Sequence, residues 1–369
     1  MVNIKKKLRG INGGSMFSQK LRNLDWKKFQ ALPTHKRKEY FAKDGRIFDV
    51  LFSQQFSRAT LDLLYRIINK VRHIHKTKDG AKWLSSLLST KKAMLYFTQP
   101  STRTYLSFVT ACQTLGIQTA DVRSSQTSSE MKGETFEDTI QTFSSYFDVI
   151  IMRNPHEGHA EKASFVLNNT LRPIPIINAG SGKDQHPTQA LLDIYTLQKS
   201  FSDVGGLDNK TIMMVGDLKR GRTVHSLSYL LTNYNKMKII LSSPEQFRMG
   251  TEITEFLKIN NIELLETTEF KKFLPDADAV YMTRIQDEHD TNNESSSYDK
   301  KKYTIDQEAL KDIKPTSFIL HPLPRIFEIK REVDKDPRAI YWRQVRNGMW
   351  ARVALLIYLF RLEEKIFDR

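Results

Sequence analysis

From about residue 46 the chain alternates short apolar runs with amphipathic stretches. The apolar runs predict strands at 93–98, 119–123, 149–153 and 174–178, and the amphipathic stretches predict helices at 103–115, 134–146 and 159–167. A long helix is expected over 186–201, then a loop at 202–209 carrying Gly205-Gly206. The alternation resumes with strands at 211–216, 238–242, 262–266, 279–283 and 317–321, and helices at 222–234, 251–260 and 307–313. Strands alternating with helices imply parallel sheets covered on both faces. Two such series divided by one long helix predict an α/β protein with two doubly wound parallel-sheet domains, 46–195 and 196–345. The apolar stretch 351–367 predicts a helix within a C-terminal unit, 346–369, that packs back across the domains. Residues 286–303 are polar and irregular and read as a long loop, and loops of such length are often functional. Residues 1–45 show no sustained apolar period and include Gly13-Gly14-Ser15, so they read as an extension, mobile or loosely docked.

Composition narrows the class. With 40% hydrophobic and 27% charged residues over 369 positions, the chain can bury a sizeable core and is neither disordered nor collagen-like. A lone cysteine, Cys112, excludes an intrachain disulfide and favours a reducing compartment. No apolar run is long enough to span a bilayer. Charge then complicates the picture: 57 basic against 42 acidic residues give +15, which taken alone favours a polyanion such as nucleic acid. Residues 1–45, however, hold twelve Lys/Arg against three acids, so +9 of the excess belongs to the extension. It lacks the apolar region of a secretory signal. A solvated extension, an organellar address and an arm for an anionic partner all remain open. A cytoplasmic location is the expectation.

Six polar clusters follow the expected strand ends. Pro100-Ser101-Thr102-Arg103-Thr104 opens a helix directly after a strand. Free backbone N–H groups and the positive dipole end meet there. Ser101 alone reads as an N-cap, but Arg103 between two threonines tips the segment toward an anion site. Arg153 ends an apolar strand, where open α/β sheets bind ligands. In Asp184-Gln185-His186-Pro187-Thr188-Gln189, Pro187 suits a first helical turn. His186 and Gln189, three apart, can face one carbonyl or amide. Gly216-Asp217-Leu218-Lys219-Arg220-Gly221-Arg222-Thr223 is again strand, loop and helix, and matches no nucleotide fingerprint. Arg222 at its helix start suits a carboxylate. Arg284 and Gln286 alternate along one extended segment, and His321-Pro322-Leu323-Pro324-Arg325 is a rigid turn able to present main-chain carbonyls. Together these arginine-rich clusters, with few acids, describe a cleft for small, multiply anionic substrates.

The ordered motifs Ser-Thr-Arg-Thr, Met-Arg-Asn-Pro-His-Glu-Gly, His-Pro-Thr-Gln, Val-Gly-Asp-Leu-Lys-x-Gly-Arg-Thr-Val-His-Ser, Met-Thr-Arg-x-Gln and His-Pro-Leu-Pro-Arg resemble the aspartate/ornithine carbamoyltransferase family over about residues 46–362. His321-Pro322-Leu323-Pro324 and Thr283-Arg284-Ile285-Gln286 are similar to its aspartate branch, the ornithine branch having a His-Cys-Leu-Pro pattern instead. The resemblance implies that 46–195 binds carbamoyl phosphate and 196–345 binds aspartate. It implies transfer of the carbamoyl group to the amine of L-aspartate, giving N-carbamoyl-L-aspartate and phosphate in pyrimidine biosynthesis. Ser101, Thr102, Arg103 and Thr104 would cradle the phosphate. Arg153, His186 and Thr104 would polarise the carbonyl, while Gln189 and the carbonyls of Pro322 and Leu323 would hold the carbamoyl amide. Arg222, Arg284 and Gln286 would bind the carboxylates of aspartate. Ser128 and Lys132 match a loop that the family donates into a neighbouring subunit's site, which implies a homotrimer with shared sites. No cofactor and no metal are implied, and neither membrane nor nucleic acid is an expected partner.

Three positions depart from the family pattern. Gln99 stands where a glutamate is common, Tyr105 where an arginine is common, and His289 where some members carry an arginine. In the well-studied bacterial relative that glutamate and the arginine matched by His289 bridge the closed domains, so a rewired closure is expected here. The competing readings are a transcarbamylase using ornithine or another amine, a silent paralogue serving in assembly, and a basic nucleic-acid binder.

Overall fold

The computed structural model describes residues 24–124, 133–182, 185–286 and 299–369. Strands β1 (Ala42–Lys43) and β2 (Arg46–Ile47) form a small antiparallel hairpin. Strands β3 (Lys92–Phe97), β4 (Gln118–Val122), β5 (Val149–Arg153) and β6 (Ile176–Asn178) make a parallel sheet in the order β4-β3-β5-β6. A second parallel sheet contains β7 (Thr211–Val215), β8 (Lys238–Ser242), β9 (Glu263–Thr267), β10 (Ala279–Met282) and β11 (Phe318–Leu320), ordered β11-β10-β7-β8-β9. The molecule is thus the expected pair of parallel-sheet α/β units.

Strand alternation explains why both faces are covered. Leu95 and Ile151 enter one apolar cluster, while Met94, Tyr96, Ile150 and Met152 enter another on the opposite face. In the second sheet Ile212, Met214 and Tyr281 join the first cluster, whereas Met213, Val215, Val280 and Met282 build a third. One cluster therefore runs through both units and holds them together. At its centre lies the Pro187–Phe201 helix, buried on nearly all sides.

Strand order locates the crevices. In the first sheet the chain runs from β3 outward to β4 and then returns to β5; in the second it runs β7, β8, β9 and returns to β10. Loops leaving β3 and β5, and likewise β7 and β10, diverge at these switch points and leave a ligand crevice at the carboxyl ends.

Two expectations change. The segment from residue 24 to 45 is folded: helices Trp26–Gln30 and Thr34–Tyr40 bury Phe29, Tyr40 and Phe41 against Phe52 and Phe165, and Arg37 pairs with Glu161. Single aromatic anchors on very short helices give no sustained period, so the sequence pattern hid them. The C-terminal helix begins earlier and is broken. It runs Tyr341–Leu359, stops where Arg361 adopts a left-handed conformation (φ 57°), and resumes at Glu363–Asp368. The longer piece packs on helices Arg58–Ile74, Thr102–Thr114 and Pro187–Phe201 and also touches β11. It therefore crosses back over both units.

Candidate active site

The loop after β3 delivers the first motif to the N-terminus of helix Thr102–Thr114. Ser101 is its N-cap but makes no side-chain cap bond, so its hydroxyl is not committed to the helix. Together with the first-turn N–H groups, which lack intrahelical partners, this forms an anion-ready terminus. Thr104 is buried and Arg103 exposed there. Burial of part of its side chain, and then the charge of Arg284, lower the pKa of Arg103. The two guanidinia, from different sheets, therefore sense one another.

Arg153, at the end of β5, is buried. Its Nη1 donates to the Ala179 carbonyl at 3.2 Å, while its Nε is buried without a partner among the described residues. Desolvation first, then Arg222 and Arg103, push its pKa down to about 9. An orphaned buried donor on a cation crowded by like charges calls for an anionic or strongly polar acceptor.

His186 caps helix Pro187–Phe201. Its Nδ1 accepts from the Gln189 backbone N–H at 3.3 Å, and its own N–H donates to Ser226 Oγ at 2.9 Å, a residue of the second unit. With Nδ1 occupied as acceptor, the proton sits on Nε2. Burial, then Arg222, Arg153 and Arg352, hold its pKa well below the usual range, so the ring is a neutral donor. Gly180 (φ 104°) lies between this ring and Arg153. A Cβ there would stand 2.7 Å from Arg153 Nη1 and 3.3 Å from His186 Nε2. The absence of a side chain leaves room between the two donors.

The second unit adds its own cations. Gly216 (φ 113°) ends β7 so tightly that a Cβ would lie 2.3 Å from the Thr283 carbonyl. The turn is pinned by Asp217, which accepts from the N–H groups of Arg220 (2.9 Å) and Gln286 (3.2 Å). This delivers Arg222 to a helix start facing the first unit. There its Nη1 donates to the Gly182 carbonyl at 2.7 Å and to Gln99 Oε1 at 3.5 Å. Gln99 thus meets Arg222 as a neutral acceptor. Tyr105 packs edge-on against Phe97 and beneath the Arg123 guanidinium. Arg284 follows β10, and the Gln286 side chain donates to the Arg220 carbonyl at 3.2 Å. His321 Nδ1 accepts from the Leu323 N–H at 2.8 Å, and Leu323 is held at φ 58°, a conformation rare outside glycine.

Arg103, Arg153, His186, Arg222 and Arg284 are therefore brought within electrostatic reach of one another. Ser128, Lys132 and His289 lie outside the described residues. Sequence reasoning missed Asp193, Gln344 and Arg352. Asp193, buried with its pKa raised to about 7 by desolvation, accepts from Gln189, Gln344 and Tyr281. Its signal was an acid four residues after Gln189, set between Leu191-Leu192 and Ile194. Among the described residues no His/Cys/Asp/Glu cluster forms a metal site.

Fold and cleft define a two-unit α/β protein that holds small anions between the strand ends of two parallel sheets. Residues 49–199 match the carbamoyl-phosphate-binding domain, and residues 208–359 the Asp/Orn-binding domain, of aspartate/ornithine carbamoyltransferases. The chain belongs to the aspartate/ornithine carbamoyltransferase family. It is 40% identical over 313 residues to aspartate carbamoyltransferase 1, chloroplastic, of Pisum sativum, spanning 84% of this chain and 77% of that protein. It is 39% identical over 308 residues to the aspartate carbamoyltransferase catalytic subunit of Thermococcus gammatolerans, spanning 84% and 96%. The structure of Trypanosoma cruzi aspartate transcarbamoylase in complex with N-(phosphonacetyl)-L-aspartic acid superposes with a TM-score of 0.75 at 35% identity, covering 85% of this chain and 95% of that one.

Proposed function

We propose that the chain is an aspartate carbamoyltransferase, joining the carbamoyl group of carbamoyl phosphate to the amine of L-aspartate and releasing phosphate. The observation that carries this reading is that Arg103 and Arg153 from one unit meet Arg284 and Arg222 from the other, with the neutral Nε2–H donor of His186 beside Arg153 and Arg222. The names of the relatives agree with aspartate as acceptor.

The chemistry follows from charge. The Thr102–Thr114 helix start, with Ser101 and Arg103, takes the phosphate, and Arg222, Arg284 and Gln286 take the carboxylates of aspartate. As the amine attacks the carbamoyl carbon, negative charge grows on the carbonyl oxygen. In this reading Arg153, His186 and Thr104 meet it as donors, and donors fixed beforehand need no reorganisation at the moment of reaction. A neutral His186 donates without trapping the oxygen as a permanent ion pair. The departing phosphate accepts the amine proton, so no side-chain base is required. Holding both substrates between the units turns an encounter into a positioned step.

Ser128 and Lys132 complete a neighbouring copy's site in this reading, which makes the working form a homotrimer. Among the described residues no helix is long and apolar enough to cross a membrane. We infer a cytoplasmic enzyme, and a fluorescent fusion of residues 1–23 staying in the cytoplasm is the expected outcome.

The test is a steady-state assay offering L-aspartate and L-ornithine in parallel, on the full chain and on one lacking residues 1–23. Residues 24–45 are retained because they are part of the core. Turnover of aspartate by both proteins is expected; turnover of ornithine alone would overturn the acceptor assignment.

A further inference from the structure

Asp193 lies fully buried in the middle of helix Pro187–Phe201 and accepts three hydrogen bonds from three elements. Gln189 Nε2, one turn earlier, donates at 3.0 Å to Oδ1. Gln344 Nε2, on helix Tyr341–Leu359, donates at 2.7 Å to the same oxygen. The Tyr281 hydroxyl, on β10, donates at 2.7 Å to Oδ2.

A carboxylate can only accept, whereas each glutamine has one donating end and one accepting end. Asp193 therefore decides which end each amide turns outward. For Gln344 the consequence is visible: its Oε1 faces the other way and accepts the His321 backbone N–H at 2.9 Å. His321 in turn takes the Leu323 N–H on Nδ1 at 2.8 Å and places Nε2 at 2.8 Å from Glu328 Oε1. The chain Asp193–Gln344–His321–Leu323 is thus polar-matched at every link, and it ends in the turn of Pro322 and Leu323. The second branch is shorter. With Nε2 committed to Asp193, Gln189 offers its accepting Oε1 to a ligand. Both branches deliver acceptors: one amide oxygen and two main-chain carbonyls.

We propose that Asp193 is a positioning residue that sets the polarity of acyl-group recognition, orienting Gln189 directly and the Pro322–Leu323 turn through Gln344 so that only acceptors face the carbamoyl nitrogen. The inference deepens the functional reading and rests on it. Its consequence is selectivity for an acyl phosphate bearing –NH2 over the near-isosteric one bearing –CH3. A site of fixed acceptors leaves them unpaired against a methyl group, which is a strong means of rejection.

Desolvation pushes the Asp193 carboxyl up, while the three donors and Arg352 pull it back, and with donors on both oxygens an acid proton would find no acceptor, which favours the carboxylate. A buried acid is thus kept in a helix where an apolar residue would pack without that cost.

The experiment compares three constants in the full-length enzyme and in Asp193→Leu. These are the KM of carbamoyl phosphate and the inhibition constants of acetyl phosphate and of inorganic phosphate, both against carbamoyl phosphate. Leucine offers neither oxygen, so nothing holds the Nε2 ends of the two glutamines inward; asparagine would not serve, because its Oδ1 could still accept from both while its amide nitrogen met the Tyr281 hydroxyl. The expected result is a KM raised about 10- to 100-fold, the worth of one or two lost hydrogen bonds to a buried group. Both inhibition constants should stay within about 2-fold, since the phosphate cradle is untouched. Parallel weakening of all three ligands marks a merely structural residue and overturns the proposal, as does an unchanged KM in folded protein. Should Asp193→Leu fail to fold, Gln344→Met severs one branch alone and decides the matter by the same constants, with a smaller KM rise expected. Absence of carbamoyl transfer to aspartate by the unaltered enzyme would instead sink the functional reading, and the inference with it.

Discussion

Arg153 shows what the site demands of its residues. A guanidinium nearly removed from water, beside Arg222 and Arg103, and with one donor unpaired among the described residues, is suited to an anionic partner. The same frustration is what makes Arg153 and His186 useful when charge develops on a substrate oxygen. Replacing either with alanine should lower kcat by about 10²–10³, measured at saturating substrates. Arg284→Ala should act differently, because a carboxylate contact is made in the ground state too. The KM of aspartate should rise about 10- to 100-fold, the equivalent of about 1.5–3 kcal/mol for a charged hydrogen bond, with a smaller change in kcat. An unchanged aspartate KM would remove Arg284 from the acceptor site. The buried histidines also predict a pH effect on stability. His186 and His225 are both held below the ordinary value of 6.5, chiefly by burial. As pH falls below 6.5 the unfolded chain takes up protons that the native one refuses, so stability present above 6.5 is lost on acidification. Asp49 and Asp193, raised to about 6 and about 7, act in the opposite sense over the same range, so the histidine effect is read by difference: between about pH 7.5 and 5.5 the unaltered chain's urea midpoint should fall relative to that of His225→Gln.

Elements that bury a regular face are legible in the sequence; those tied down by single contacts are not. Strands β5 and β8 occupy the residues that their apolar runs predict, because a strand buried on both faces has no other way to satisfy its side chains and backbone. The helices Trp26–Gln30 and Thr34–Tyr40 are too short for periodicity, and only the packing of Phe29, Tyr40 and Phe41 holds them. Helix Arg58–Ile74 is absent from the expected elements although Leu61, Leu64, Ile68 and Val71 line its buried face at helical spacing; it precedes the first strand of the parallel sheet and so stands outside the strand–helix alternation. For the site, cationic residues at strand ends are readable, since chemistry and position coincide at Arg103, Arg153, Arg222 and Arg284. Asp193 is not readable as a hub, because its partners Tyr281 and Gln344 come from elements remote in the chain. Turn geometry supplies a prediction at this scale. Gly216→Ala places a Cβ against the Thr283 carbonyl and forces a side chain into φ 113°. The cost should exceed about 1 kcal/mol, read as a lower urea midpoint. Because the turn aims Arg222, the KM of aspartate should rise as well.

At the scale of the whole molecule, the +15 charge divides between residues 1–45, which hold +9, and a remainder whose informative members converge on the cleft. Net charge pointed to an anionic ligand but suggested a macromolecule, where the proposed substrates are two small anions. The cleft is supplied by both sheets; Ser128 and Lys132 lie outside the described residues, and the proposed function assigns them to a neighbouring copy's site. If sites are shared, two individually inactive variants should complement. An Arg103→Ala chain lacks its own phosphate cradle but still donates Lys132 outward; a Lys132→Ala chain keeps the cradle but donates nothing. In a cyclic trimer containing both, one interface pairs an intact cradle with an intact donated lysine, whichever variant is in the majority, so about one third of the sites are restored. Random reassembly of equal amounts leaves about three quarters of trimers mixed, for a total near one quarter of the unaltered activity. The measurement is the specific activity of a mixture dissociated and reassembled together, against the two variants reassembled separately. Mixed trimers verified by mass, and silent, would show that each chain completes its own site.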